Sequence, residues 1–202
     1  MPNPPKSKSG VRRSLKAVEK NDLALARTVA LAKDGAAARW TARVAELGDQ
    51  PPMQILCGAT IAAGALRRDR KLARAGLRML AAHSFATLAK AFIKDGVDRT
   101  RPDRAIEGGD YKMKPGKSRD HGLQSMPSGH SAGTVAVAAA ALVDYPQLAG
   151  VALTGSAAVI GAQLPSRNHY LSDVAAGSAV GILAFGVARL LLPPSKTPRK
   201  RP

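Results

Sequence analysis

The chain has 202 residues, of which 31 are Lys or Arg and 14 are Asp or Glu, so its formal net charge is +17. Its single cysteine, Cys57, excludes a disulfide framework and a metal site built from several cysteines. Hydrophobic residues make up 45% of the chain and aromatic residues only 3%, which favours close-packed helices over a β-sandwich. A strongly basic chain indicates a nucleic-acid-binding protein or a protein at an anionic membrane surface.

The positions of the charges favour the membrane. Residues 1–20 and residues 67–78 each hold six Lys or Arg and one acidic residue, and residues 193–202 hold four Lys or Arg and no acidic residue. Long uncharged stretches lie between these segments, whereas a DNA-binding domain spreads its basic residues over a folded face. We therefore expect membrane lipids as partners and no nucleic acid.

The uncharged stretches predict helices that cross a membrane. In chain order the predicted helices cover residues 53–66, 79–93, 131–143, 148–164 and 174–192, with Lys90 and Arg189 as the charged residues within them. The uncharged run at 145–166 has 22 residues, enough to cross about 30 Å of hydrocarbon. Gly177 and Gly181 allow close contact between helices. The alternative is a soluble Ala-rich bundle, because stretches of about 15 residues also form buried core helices.

The basic segments also predict an orientation. Cytoplasmic loops are enriched in Lys and Arg, so all three basic segments are placed inside, and residues 94–130 lie outside. This topology requires one more crossing, which we expect in residues 22–46, where apolar residues recur at helical spacing. Charges in that stretch allow an alternative, an amphipathic helix on the membrane surface.

Three polar clusters fall on the predicted outer face. The first holds Lys94 and Arg101, two cations able to bind the oxygens of a phosphate. The second is a predicted helix start, where Ser128 is a good N-cap, Gly129 follows it, and His130 lies in the first turn. The free N–H groups and the positive dipole end of such a helix favour an anion.

The third cluster contains His169 and Asp173, four residues apart. A turn at this spacing brings the carboxylate to one imidazole nitrogen and leaves the other nitrogen free as a nucleophile. Each cluster alone has an ordinary structural explanation, as an interface anchor, a helix cap or a hydrogen bond. Their coincidence on one face predicts a phosphoryl-transfer site, which requires no metal and no cofactor because cations and backbone donors stabilise the charge.

Together the clusters resemble the three-part signature of the type 2 phosphatidic acid phosphatase superfamily. The matching residues are Lys94-x6-Arg101-Pro102, Pro127-Ser128-Gly129-His130 and His169-x3-Asp173. That superfamily includes membrane lipid phosphatases, soluble bacterial acid phosphatases and vanadium haloperoxidases. The resemblance implies an all-α, membrane-embedded bundle of about six helices with the core of the acid phosphatases and vanadium haloperoxidases. The expected organisation is a basic cytoplasmic tail at 1–21, one helical membrane phosphatase domain at 22–192 and a basic cytoplasmic tail at 193–202.

The resemblance also implies a role for each matching residue. His169 would be the nucleophile that forms a phosphohistidine, Asp173 would orient it, and His130 would protonate the leaving group. The phosphate would be bound by Lys94, Arg101, Ser128 and Gly129.

One position departs from the family pattern. The third motif of the family begins with Ser-Arg, with five residues between that arginine and the histidine, and here these positions hold Ala162 and Gln163. Arg167 is the expected substitute for phosphate binding. Loss of a charge-assisted donor costs about 1.5–3 kcal/mol of binding free energy.

The resemblance implies an integral phosphatase of the bacterial inner membrane, with several crossings and its active site facing the periplasm. The substrate would be a lipid phosphomonoester or diphosphate resembling phosphatidate, phosphatidylglycerol phosphate or a polyprenyl diphosphate. A non-catalytic membrane protein that binds anionic lipids is the alternative, and Gln163 favours it. Vanadium haloperoxidase chemistry is a further alternative, against which the apolar spans and the small size argue.

Overall fold

The computed structural model describes residues 6–32 and 34–194. Its helices are α1 (Lys6–Val29), α2 (Ala36–Glu46), α3 (Gln50–Leu66), α4 (Arg70–Lys94), α5 (Pro102–Ile106), α6 (Gly129–Asp144), α7 (Ala149–Ala162) and α8 (Leu171–Leu191). Two short strands, β1 (Val97–Arg99) and β2 (Met113–Pro115), lie in the segment between α4 and α6. The predicted tail residues 1–5 and 195–202 lie outside the described part of the chain.

Helix α4 lies at the centre of the bundle and packs against α3, α6 and α8, while α6 also packs against α7 and α8. The five predicted stretches correspond to α3, α4, α6, α7 and α8. The helical architecture expected from the sequence is therefore confirmed.

The bundle has a core of small residues and an outer surface of large apolar ones. Five alanines fill its centre, namely Ala82, Ala86, Ala132, Ala136 and Ala140. Large apolar side chains point outward from four of the helices, among them Ile55, Leu66, Leu88, Phe92, Val151, Leu153, Ile182, Leu183 and Leu190. Water would penalise such a surface, whereas lipid tails solvate it and small residues allow the helices to pack closely.

Helix α8 has the length and composition of a membrane span. Its 21 residues have a mean hydropathy of 1.9, and only 28% of its apolar window is buried in the bundle. Residues Pro146–Ala162 form a shorter apolar helical segment. In the described part of the chain, α8 alone meets both the length and the hydropathy expected of a crossing helix.

A buried ion pair joins α4 and α6 at one end of the bundle. Arg78 on α4 forms a buried ion pair with Asp144 at the end of α6. Its guanidinium also donates to the backbone carbonyls of Leu192 (2.6 Å) and Pro193 (2.9 Å), just beyond α8. The basic segment 67–78 therefore lies where α6 and α8 end. The starts of α3, α6 and α8 and the end of α4 lie at the opposite end, which we call the motif end.

Residues 22–46 do not cross the bundle, so the predicted crossing is wrong. The first residue of this stretch, Asp22, pairs with Arg99 at the motif end, and the carbonyl of Ala45 accepts a hydrogen bond from Gln163, which caps α7 at the same end. The stretch is also divided between α1 and α2, and the 11 residues of α2 span only about 16 Å. This placement agrees with the alternative interpretation, in which the stretch forms helices on the surface. The predicted tail boundary at residue 21 falls inside α1.

The strands form a small antiparallel hairpin that sequence patterning did not predict. Val97 pairs with Pro115, and Arg99 pairs with Met113. Each strand has only three residues, too few for an alternating pattern to be recognised. The hairpin fixes the backbone on either side of Arg99.

Two glycines on α8 allow close contact with α6. A Cβ at Gly177 would lie 2.3 Å from the carbonyl oxygen of Ser128, and a Cβ at Gly181 would lie 2.5 Å from that of Ala132. Both distances are far below van der Waals contact, so the backbones meet only because these side chains are absent. The predicted role of this glycine pair is confirmed.

We expect Gly177→Ala to lower the free energy of unfolding by about 1–3 kcal/mol, because the new methyl group forces α6 and α8 apart. Gly186→Ala on the same helix is the matched control, since a Cβ there meets no atom within 4 Å. The control should leave stability unchanged or raise it by up to about 1 kcal/mol through helix propensity. Thermal unfolding in detergent measures both variants, and equal effects would contradict the packing argument.

Candidate active site

A cavity of about 420 Å³ opens at the motif end of the bundle. Five of the predicted site residues line it, namely Lys94, Arg101, Gly129, His130 and His169. The ring centres of the two histidines lie 6.1 Å apart. The structure therefore brings together residues from all three sequence clusters around one space.

His169 is held in one orientation by a backbone carbonyl. Its Nδ1 lies 2.8 Å from the carbonyl oxygen of Ser125, which only accepts hydrogen bonds, so Nδ1 carries the proton. This assignment leaves Nε2 with a free lone pair. Sequence reasoning missed Ser125, because it lies 44 residues from the histidine and belongs to no motif.

Burial of the His169 imidazole favours its neutral form. Burial lowers its pKa from 6.5 to about 4, and the charges of Arg101 and Lys94 act in the same direction, against the opposing effect of Asp173. A neutral ring retains the lone pair that a nucleophile requires.

Asp173 acts on His169 indirectly, in contrast to the expected direct contact. Its Oδ2 lies 3.8 Å from Nδ1, which is beyond hydrogen-bond distance. The same oxygen accepts hydrogen bonds from the Ser125 hydroxyl (2.6 Å) and from the Tyr170 backbone N–H (2.9 Å). Asp173 therefore holds Ser125, and the carbonyl of Ser125 orients the ring.

A buried arginine supports this carboxylate. The Arg99 guanidinium lies 2.5 Å from Asp173 Oδ1 and 2.8 Å from Asp22 Oδ2, and both carboxylates are almost fully buried. It also donates to the Ser172 hydroxyl at 2.7 Å and lies over the Tyr170 ring. Charged groups taken out of water are stable only when they are paired in this way. Nothing in the sequence motifs singled out Arg99 or Asp22.

The two cations of the first cluster are held by carbonyl groups. Lys94 Nζ donates to the carbonyl of Gln124 at 2.6 Å. Arg101 donates to the carbonyls of His121 (3.0 Å) and Asn168 (3.3 Å). Carbonyls orient these donors without cancelling their charge, so the cavity keeps a positive wall.

The second cluster forms the predicted helix start. Ser128 is the N-cap of α6, and its Oγ accepts the Ser131 N–H at 3.3 Å. The Ser128 side chain is fully buried and is not among the residues that line the cavity. Gly129 and His130 lie at the cavity, and N–H groups in a first helical turn have no acceptor within the helix.

Arg167 is not part of this cavity. It has a positive φ of 60°, donates to the Leu31 carbonyl at 2.7 Å, and lies near the carboxylates of Asp103 (4.0 Å) and Glu107 (3.9 Å). It lines a neighbouring cavity of about 330 Å³. The structure therefore does not place Arg167 where a substitute for the family arginine would bind phosphate.

Gln163 does not take that place either. Its side chain is fully buried, and its amide donates to the carbonyls of Val159 (3.2 Å) and Ala45 (3.4 Å). It joins α7 to α2 instead of lining the cavity. The described residues also contain no group of three or more His, Cys, Asp or Glu side chains suited to hold a metal ion.

We expect Arg99→Met to lower the free energy of unfolding by about 3–5 kcal/mol, because it leaves two buried carboxylates without their cation. Arg104→Met is the matched control, since Arg104 pairs with Asp120 while about half of each side chain is exposed. The control should cost less than about 1 kcal/mol. Chemical denaturation in detergent measures both losses, and a small loss for Arg99→Met would show that the pair is dispensable.

The comparisons with known proteins agree with the geometry. The model of the PAP2 superfamily matches residues 75–196, more than half of the chain. The structure is similar to that of the transmembrane PAP2-type phosphatidylglycerolphosphate phosphatase from Bacillus subtilis, with a TM-score of 0.62 and 22% identity over 87% of this chain and 86% of that one. None of the curated proteins compared gives a significant match. The chain belongs to the PAP2 superfamily and is a phosphatase, and its helical fold is similar to that of a transmembrane PAP2-type phosphatase.

Proposed function

We propose that the protein hydrolyses a lipid phosphomonoester or diphosphate in two steps, through a phosphohistidine at His169 and without a metal ion. One observation carries this proposal: the buried His169 ring has its proton fixed on Nδ1, and it lines the same cavity as His130, Lys94 and Arg101. A nucleophile, an acid and two cations are the groups that phosphoryl transfer requires.

In the first step, the lone pair of His169 Nε2 attacks phosphorus and forms the P–N bond. The bond from phosphorus to the leaving oxygen breaks, and protonated His130 gives its proton to that oxygen. The His169 ring gains positive charge while its Nδ1–H still donates to Ser125. Lys94, Arg101 and the first-turn N–H groups of α6 stabilise the phosphoryl oxygens.

In the second step, neutral His130 takes a proton from water as the water oxygen attacks phosphorus. The P–N bond breaks and its electron pair returns to His169 Nε2, so that inorganic phosphate leaves and both histidines regain their starting forms. The sum of the two steps consumes one water and releases one phosphate and one lipid alcohol or lipid phosphate.

A lipid substrate in the bacterial inner membrane is supported by the position of the cavity. The cavity lies at the ends of helices whose outer surfaces carry large apolar side chains. Lipid headgroups lie at the depth of such helix ends. The structural neighbour acts on phosphatidylglycerol phosphate, and phosphatidate and polyprenyl diphosphates offer the same reacting group. The basic segment 67–78 lies at the opposite end, and by the positive-inside rule this segment supports a periplasmic site. The basic residues of α1, which lead into Asp22 at the motif end, do not follow the rule.

We expect the detergent-purified protein to release phosphate from at least one of these three lipids in excess EDTA. His169→Ala should abolish release, and His130→Ala should lower kcat by about 10²–10⁴-fold through loss of the general acid. Arg167→Met is a control outside the cavity, and it should retain activity. A malachite green assay measures all four proteins.

Activity lost in EDTA and restored by a divalent metal would contradict the metal-free mechanism. Activity retained by His169→Ala would contradict the nucleophile. Failure of the folded wild-type protein to act on any lipid of the panel would contradict the lipid phosphatase proposal.

The lowered pKa of His169 has a spectroscopic consequence. Since the folded pKa is about 4, we expect the ring to stay neutral and protonated on Nδ1 from pH 8 down to pH 5, whereas an ordinary histidine becomes charged near 6.5. ¹⁵N NMR of histidine-labelled protein measures this, and His169→Gln assigns the signal. A His169 signal that titrates near 6.5 would contradict the effect of burial.

A further inference from the structure

The cavity continues past the two histidines along one face of α4. His83, Thr87, Lys90 and Lys94 all line it, and their spacing places them on a single face of the helix. From Lys94 to His83 this polar stripe extends over about 16 Å of helix. The reaction proposed above assigns no role to His83, Thr87 or Lys90.

Lys90 lies at the N-terminus of α6. A Cβ at Gly129 would lie 2.7 Å from Lys90 Cδ and 3.1 Å from Lys90 Nζ, so the missing side chain of this glycine makes room for the lysine. The N-terminus of a helix carries partial positive charge and disfavours a cation. Lys90 therefore adds a cation beside the helix end whose first-turn N–H groups bind the reacting phosphate in the proposed mechanism.

His83 supplies a second, independent observation. Its side chain is almost fully buried, and its Nδ1 has no hydrogen-bond partner among the residues that the structure describes. A buried polar atom without a partner costs free energy, and ionisable residues within apolar helices are usually functional. His83 lines the same cavity as Lys90, about two turns away along α4.

The charged residues near His169 differ from those near His130. The strongest electrostatic influences on His169 are those of Asp173, Arg101 and Lys94, whereas His130 also experiences Lys90 and Asp49. Lys90 lies on the side of His130, the proposed general acid, because its side chain lies against Gly129, the residue before His130. Two acidic residues, Glu46 and Asp49, also line the cavity, and the charge of Asp49 acts on His83, Lys90 and His130. Their carboxylate oxygens are suited to accept hydrogen bonds from hydroxyl groups of a leaving group.

We propose that Lys90, together with His83 and Thr87, binds a second phosphate that belongs to the leaving group. This inference rests on the proposed function and narrows its substrate class to lipids that carry two phosphates. A diphosphate places the second phosphate next to the reacting one, and phosphatidylglycerol phosphate places it across a glycerol. The leaving group of phosphatidate is neutral and has no partner for Lys90.

The test compares Lys90→Met on three substrates in mixed micelles: phosphatidate, phosphatidylglycerol phosphate with the same acyl chains, and a polyprenyl diphosphate. We expect kcat/KM for at least one two-phosphate lipid to fall about tenfold or more beyond any fall for phosphatidate, because a charge-assisted hydrogen bond is lost. Lys90→Arg should restore much of the difference. Lys71→Met is the matched control, since Lys71 is exposed on the same helix at its other end.

The pattern of losses identifies the source of the second phosphate. A selective loss on the diphosphate supports an adjacent phosphate, and a selective loss on phosphatidylglycerol phosphate supports the distant one. An equal loss on all three lipids, or no loss, overturns the proposal. Thr87→Val, which removes only one hydroxyl, should show the same selectivity in a smaller degree and replaces Lys90→Met if that variant does not fold.

A binding measurement separates this inference from the proposed function. If the wild-type protein hydrolyses none of the lipids, the proposed function fails, and the subsite is tested by the shift in thermal unfolding with inorganic phosphate and pyrophosphate. Tighter binding of pyrophosphate by the wild-type protein, lost in Lys90→Met, supports the second anion site. Equal binding of both ions by the wild-type protein overturns it.

Discussion

The buried guanidinium of Arg99 is the interaction on which the site depends. It lies between the carboxylates of Asp22 and Asp173 and so joins helix α1, strand β1 and the start of α8. Asp173 then holds the Ser125 hydroxyl, and the Ser125 carbonyl orients His169. His169, the proposed nucleophile, is therefore positioned by a chain of buried polar contacts that begins on α1, a helix with no described residue lining the cavity.

Small residues in the core serve the same site. Because Gly177 has no side chain, the N-cap of α6 approaches α8 so closely that the Ser128 N–H donates to the Asp173 carbonyl at 3.0 Å. This contact fixes the two helices that carry His130 and Asp173 relative to each other. The large apolar side chains that such a core excludes cover the outer surface, where lipid is their solvent. Small residues inside the bundle and large apolar residues outside it thus account for both the apolar outer surface and the close packing at the site.

The sequence predicted the parts of the fold that depend on local pattern. The apolar stretches gave the five core helices, and the motifs identified five of the residues that line the cavity. It did not predict Arg99 with Asp22, 77 residues away, because long-range ion pairs have no periodicity. The crossing at residues 22–46 was wrong because an amphipathic pattern is equally suited to surface helices. Arg167 was expected near the phosphate because it is close to His169 in the sequence. Its backbone conformation instead directs its side chain toward the Leu31 carbonyl and the carboxylates of Asp103 and Glu107.

In the proposed mechanism, the hydrogen bond from His169 to Ser125 also decides which chemical isomer of phosphohistidine forms. With Nδ1 engaged by a buried carbonyl, the phosphoryl group is accepted only at Nε2. The product is the tele isomer, and its P–N bond lies on the far side of the ring from the carboxylate network. Because the carbonyl retains the remaining ring proton, the imidazolium form persists until water attacks, and this form is the better leaving group. A single backbone oxygen thus determines both the regiochemistry of the intermediate and the ease of its breakdown.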